Sequence, residues 1–152
     1  VSKLMLNKTK HGRRWFTKQI MWWTCGYIEI DSDMPRNYFD PVYDCFYFWM
    51  GPTFMGIAFP NLLNDGEIIM ASQDFLLDSE ADKPLVEQNI LSLKPEFQDA
   101  ARQAVEDGNY FWVVGFDDNH CETLGKTGMI AVTKRVAEQM DARLYQPLED
   151  LS

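Results

Sequence analysis

The chain has 152 residues, of which 46% are hydrophobic, 14% aromatic and 24% charged, with a formal net charge of −9. That balance excludes an intrinsically disordered chain, because the apolar content suffices to build a core and the charge is too moderate to oppose collapse. The acidity also counts against general nucleic-acid binding, since a negative surface repels phosphate and attracts cations or basic proteins.

The charge is unevenly spread. Residues 1–28 hold six basic side chains (Lys3, Lys8, Lys10, Arg13, Arg14 and Lys18) and no Asp or Glu, whereas the remainder holds 8 basic and 23 acidic residues. Residues 1–18 are therefore expected to form a basic N-terminal segment, flexible or docked onto the acidic body of its own or a second subunit. That leaves a homo-oligomer open. "VSKLMLNKTKHGRRWF" is charged at its start, and no apolar stretch of leader length follows it directly, so no secretory signal is expected. Cys25, Cys45 and Cys121 form neither a CxxC pair nor an even framework, which fits reduced thiols and a cytoplasmic location.

In chain order, "RRWFTKQIMWWTCGYIEID" (13–31) is rich in aromatic and β-branched residues and reads as a strand. Towards its end Tyr27, Glu29 and Asp31 alternate with Ile28 and Ile30, the period of two expected of a strand with one wet face. Pro35 in the following "DSDMPRN" stops it. Residues 42–63 carry a single charge, Asp44, over 22 positions, which is long enough to cross a bilayer. The Gly51-Pro52 break, Pro60 and the aromatic crowding predict two strands instead, "VYDCFYFWM" and "TFMGIAF", and no membrane partner. Asn64-Asp65-Gly66 is a strong turn signal and leads into a further strand, "EIIMAS".

Beyond Ser79 aromatics give way to charges and alanines. Asp82, with Pro84 in the first turn, starts a helix to about Leu93, and Pro95 starts the next. Phe97, Ala100, Ala101, Ala104 and Val105 then share one helical face, and Gly108 ends the run. "YFWVVGF" (110–116) has almost no polar relief and reads as an interior strand. In "GMIAVTKRVAEQM" (128–140), Met129, Val132, Val136 and Met140 fall on one helical side, flanked by Thr133 and Ala137. "DARLYQPLEDLS" (141–152) is read as a short edge strand and a charged tail. The fold class predicted is α+β: a single domain over 1–152, with a mainly antiparallel sheet of about five strands packed by two or three helices.

The chemistry-bearing stretch is "DDNHCETLGKTG" (117–128). Its GKT suggests a phosphate loop, but that motif needs a glycine five residues before Gly125, and His120 stands there. Asp117, Asp118, His120, Cys121 and Glu122 all carry donor atoms, yet their spacing is neither a zinc nor an EF-hand pattern. Adjacent His120 and Cys121 side chains point apart, so a thiol nucleophile at Cys121 would need His11, or His120 would need Cys25 or Cys45. The weak catalytic candidates are therefore His120, Cys121 and Asp117, in a hydrolase or isomerase reading. The alternative is a connection in which Asp117-Asp118-Asn119 turns the chain and Thr127 caps the last helix.

A second constellation lies in the predicted sheet. Tyr27, Glu29, Tyr47 and Trp49 would set a carboxylate among aromatic rings, a combination that attracts cationic groups. The function expected first is a small acidic binding protein for a basic protein or a cationic, aromatic-compatible small molecule, with no cofactor. A nucleic-acid adaptor is a further alternative, with Trp15 and Phe16 stacking on bases among the basic groups of the N-terminal segment.

Overall fold

The computed structural model describes residues 6–30, 52–72, 82–118 and 124–145. Among them lie six strands and three helices: β1 (Asn7–Lys8), β2 (Arg14–Ile20), β3 (Trp23–Ile30), β4 (Phe54–Asn64), β5 (Glu67–Ser72), α1 (Asp82–Leu91), α2 (Pro95–Glu106), β6 (Phe111–Asp117) and α3 (Gly125–Tyr145). The class is α+β and the pairing mainly antiparallel, with one strand more than expected. Two compact units are built from these elements. One holds β4, β5, α1, α2 and β6 as far as Val113; the other holds β1, β2, β3 to Glu29, β6 from Val114 and α3.

In the second unit β1 pairs with β2 and β2 with β3, and β3 neighbours β6. The run 13–31, expected as one strand, is a hairpin that turns at Met21-Trp22. Met21 takes a positive φ of 51° without being Gly, Asn or Asp, so the turn carries none of the residues that announce one. Register sets Phe16 opposite Tyr27, and their rings stack with centroids 5.1 Å apart. Tyr27, Ile28 and Ile30 are all buried, so β3 is covered on both faces and not wet on one. Segment 1–18 contains strand residues at Asn7–Lys8 and from Arg14 onwards, and Trp15 and Phe16 are core residues.

Helix α3 packs on β2, and of the expected stripe Met129, Val136 and Met140 are buried and Val132 half-buried, with Thr133 and Ala137 buried beside them. The edge strand expected after residue 140 is corrected, because α3 continues to Tyr145. "DARLY" contains no breaker, and Pro147 is the first residue beyond it that cannot continue a helix.

In the first unit β4 and β5 form a hairpin around Asp65 and Gly66, whose φ values of 53° and 80° are the left-handed pair a tight two-residue turn requires. Strand β4 does not stop at Phe59. It runs on through Pro60, with a register irregularity between Phe59 and Leu63 where proline cannot donate to the ladder. Its described residues, Phe54–Asn64, are thus strand; the expected partner strand at 42–50 lies outside the described residues. No helix among the described residues is long and apolar enough to cross a membrane. Helices α1 and α2 pack on this hairpin, α1 on β4 and β5 and α2 on β4. The Ser72 amide donates to Ser92 Oγ at 3.0 Å, and that hydroxyl donates to the Asn89 carbonyl at 2.7 Å, tying the end of β5 to the end of α1. Strand β6 is buried from Phe111 through Phe116, as its unrelieved apolar sequence requires.

Candidate functional site

In the stretch that draws attention in the sequence, Asp118 joins β3 to the start of α3. Asp118 is fully buried, and its Oδ1 accepts the Thr24 amide at 2.9 Å. Its Oδ2 accepts the amides of Leu124 and Gly125, each at 3.0 Å, and so caps the start of α3. The first amides of a helix are an anion site by default. Here a carboxylate of the chain itself fills that place, which leaves the GKT triplet no phosphate cradle. Thr127 does not cap the helix as expected, because α3 begins at Gly125 and Thr127 is exposed within the first turn. Asp117 is half-buried and accepts the Thr53 hydroxyl at 2.9 Å. His120 and Cys121 lie outside the described residues.

Two other partners considered for a nucleophile, His11 and Cys25, lie among the described residues. His11 is exposed, and Cys25 is buried. Burial raises the Cys25 thiol pKa, the Asp117 and Asp118 charges act the same way, and hydrogen bonds with Tyr27 and Trp23 oppose them. A thiol held protonated is a poor nucleophile. Among the described residues no group of three or more His, Cys, Asp and Glu could hold a metal ion.

Of the predicted sheet constellation, Tyr27 and Glu29 lie among the described residues. Tyr27 is 4% exposed and stacked in the core. Glu29 is held by Arg14, which donates from Nε at 3.0 Å and Nη2 at 2.8 Å, and from its amide at 3.0 Å. Burial pushes the Glu29 pKa up, but the Arg14 hydrogen bonds and charge, helped by Arg13, outweigh it and leave the pKa below the ordinary value. Tyr47 and Trp49 lie outside the described residues. Beside this pair, Arg13 is buried and donates from Nε to Asp141 Oδ1 at 2.7 Å and from Nη1 to the Glu29 carbonyl. Its charge is committed to holding α3 against the hairpin. It is not offered to a ligand.

An open concavity lies elsewhere, in the first unit, between α1 and α2. Pro95 sits in the first turn of α2, where its missing amide costs nothing. At the other end, amides of Gly108 and Asn109 return to the Val105 and Ala104 carbonyls, with Gly108 at φ 75°. Ala101 and Ala104 are the buried residues of α2; their small side chains let the helix lie close, while Ala100, expected on the same face, is exposed. The outer edges of the two helices then enclose a groove of about 690 Å³.

Val86 and Ile90 of α1 and Val105 of α2 form the apolar floor, with the Tyr110 ring at one side. Glu87, Arg102 and Glu106 form the rim. Arg102 reaches across to Glu87 at 2.7 Å and along its own helix to Asp99 at 3.5 Å. Glu106 forms no ion pair among the described residues. The groove offers an apolar body site, one aromatic face and carboxylate oxygens, a set suited to holding a cation on an apolar frame. Sequence reasoning missed it because it sought aromatic–carboxylate pairs in the strands. The available signal was Val86 and Ile90 at i and i+4 beside a charged residue on a short helix. Compared with known proteins, the chain matches no family model, no curated protein and no solved structure.

Proposed function

We propose that the protein is a binding module whose α1–α2 groove takes a cationic group carried on an apolar or aromatic body. The observation that carries this is the apolar floor of Val86, Ile90 and Val105 set beside Glu87 and Glu106. The surrounding stretch supports it: residues 54–113 hold eleven acidic and three basic side chains. A groove of about 690 Å³ falls in the range of about 300–1,000 Å³ that accepts small organic ligands. A cation over the Tyr110 ring contributes about 0.5–1 kcal/mol at an exposed site. A carboxylate about 4 Å away contributes about 1–4 kcal/mol, depending on how much water intervenes. These terms make a salt-sensitive, modest-affinity site that selects cations by charge more than by shape.

Calorimetric titration with benzyltrimethylammonium, and with benzyl alcohol as a neutral counterpart, tests the reading. The cation is expected to bind about tenfold more tightly, in keeping with about 1.4 kcal/mol of charge preference. Glu106→Gln should remove most of that preference, and Tyr110→Ala should weaken both compounds. Equal binding of the two compounds, or binding untouched by either substitution, would overturn it.

A further inference from the structure

We infer that Arg102 sets the charge of the ligand this groove accepts: it occupies the Glu87 carboxylate from within and leaves one negative site, so the groove takes monocations and gives dications no advantage. This rests on the groove reading above and narrows its ligand class.

The rim carries two carboxylates and one guanidinium, Glu87 on α1 and Arg102 and Glu106 on α2. Arg102 and Glu106 stand one helical turn apart, at i and i+4, where side chains can meet. Arg102 turns the other way. Its Nη2 donates to Glu87 Oε1 at 2.7 Å and its Nε to the same oxygen at 3.2 Å, while Nη1 reaches Asp99 Oδ1 at 3.5 Å. Two nitrogens of one planar fork on one carboxylate fix it in direction as well as in charge. Glu106, exposed on the same rim, forms no ion pair among the described residues.

The charge count follows from this arrangement. A guanidinium stays protonated in proteins, so Arg102 offsets Glu87 wherever that carboxylate is ionised. The Asp99 side chain is fully exposed and does not line the groove, so solvent screens it from a ligand there. Glu106 remains as the one rim carboxylate without an ion pair, beside Val105 and Tyr110. A cation entering the groove reaches Glu87 only by displacing a guanidinium tethered to the same site, whose effective concentration is on the order of millimolar or above. As a half-exposed pair, Arg102 and Glu87 contribute little to the stability of the fold. Their consequence lies in what the groove admits.

Calorimetric titration of the full chain with benzyltrimethylammonium, a monocation, and p-xylylenebis(trimethylammonium), a dication on a similar ring, tests this. The wild-type chain should bind the two with nearly equal affinity. Arg102→Met keeps a straight apolar stem and removes the charge; it should bind the dication about tenfold more tightly than the monocation, through the freed Glu87 carboxylate. Adding Glu87→Gln to Arg102→Met should return the ratio to the wild-type value. Lys94→Met removes one positive charge at the exposed start of α2, outside the groove, and should leave the ratio unchanged. An unchanged circular dichroism spectrum establishes that each variant folds. A wild-type chain that already prefers the dication would overturn the inference, as would an Arg102→Met chain without that preference. A preference that survives Glu87→Gln, or that appears in Lys94→Met, would overturn it too, because net charge would then account for the effect. If the wild-type chain binds benzyltrimethylammonium more tightly than benzyl alcohol, the groove reading stands and only the role of Arg102 fails. If it does not, both fail.

Discussion

Replacing Asp118 tests whether the polar stretch after β6 is a joint. Its carboxylate accepts three amides, at 2.9, 3.0 and 3.0 Å, from a fully buried position. Removal in Asp118→Ala strands the Thr24 amide, whose residue is buried, at a cost of about 1–3 kcal/mol for an unsatisfied donor. It also uncaps α3 at Leu124 and Gly125, which are half-buried and reachable by water, at a cost of about 1 kcal/mol. Together these give a loss of about 2–4 kcal/mol. In a domain of this size each kcal/mol lowers the midpoint by roughly 2–4 °C, so thermal melting should drop by roughly 4–16 °C. Asp118→Asn sharpens the test. Its carbonyl can serve one side, but its amide then faces N–H donors on the other, so it should recover less than half of the loss. Urea unfolding followed by tryptophan fluorescence reads both variants. An Asn variant as stable as wild type would refute the reasoning, because one acceptor oxygen would then do the work assigned to two.

Asp141→Ala leaves the Arg13 guanidinium buried without its carboxylate and should cost about 3–5 kcal/mol, whereas Arg102→Ala, which breaks a solvent-screened pair, should leave the midpoint of the same unfolding assay nearly unchanged. A Cβ at Gly26 would collide with the Thr133 hydroxyl and approach Phe116 Cε1 at 2.9 Å, so Gly26→Ala should cost about 1–3 kcal/mol and Gly26→Val more, measured by denaturant midpoint. Glu29 has a lowered pKa in the folded state, so its ion pair with Arg14 stabilises above the unfolded value of roughly 4.3 and is lost as pH falls through the folded value. The stability difference between wild type and Glu29→Gln should therefore be full at neutral pH and shrink progressively in acid, a trend that melting curves across pH will show or deny.

Where local chemistry dictates geometry, the sequence was legible. Asp65-Gly66 supplies two residues able to adopt positive φ, and the hairpin forms there. Pro95 and Gly108 bracket α2 for equally local reasons. The hairpin at Met21-Trp22 was not legible, because its turn is made by residues that disfavour turns and whose neighbours set the geometry. Strand β4 continued through Pro60 because pairing with β5 tolerates an irregularity there, and local propensity does not report pairing. Arg13 and Asp141 are 128 residues apart, and no periodicity encodes that they meet. In the chemistry-bearing stretch, the expectation of a cap held for Asp118 and not for Thr127, while the turn expected after it runs outside the described residues. The groove was hidden for a different reason. It is a property of two helices packed side by side, and the spacing of Val86 and Ile90 reveals an apolar edge without revealing that the edge stays open.

Shift mapping by two-dimensional NMR during titration with benzyltrimethylammonium tests the binding account most directly. Amide shifts should cluster at Val86, Glu87, Ile90, Val105, Glu106 and Tyr110 and weaken with added salt. Shifts centred instead on Tyr27 and Glu29, or spread without a centre, would contradict it.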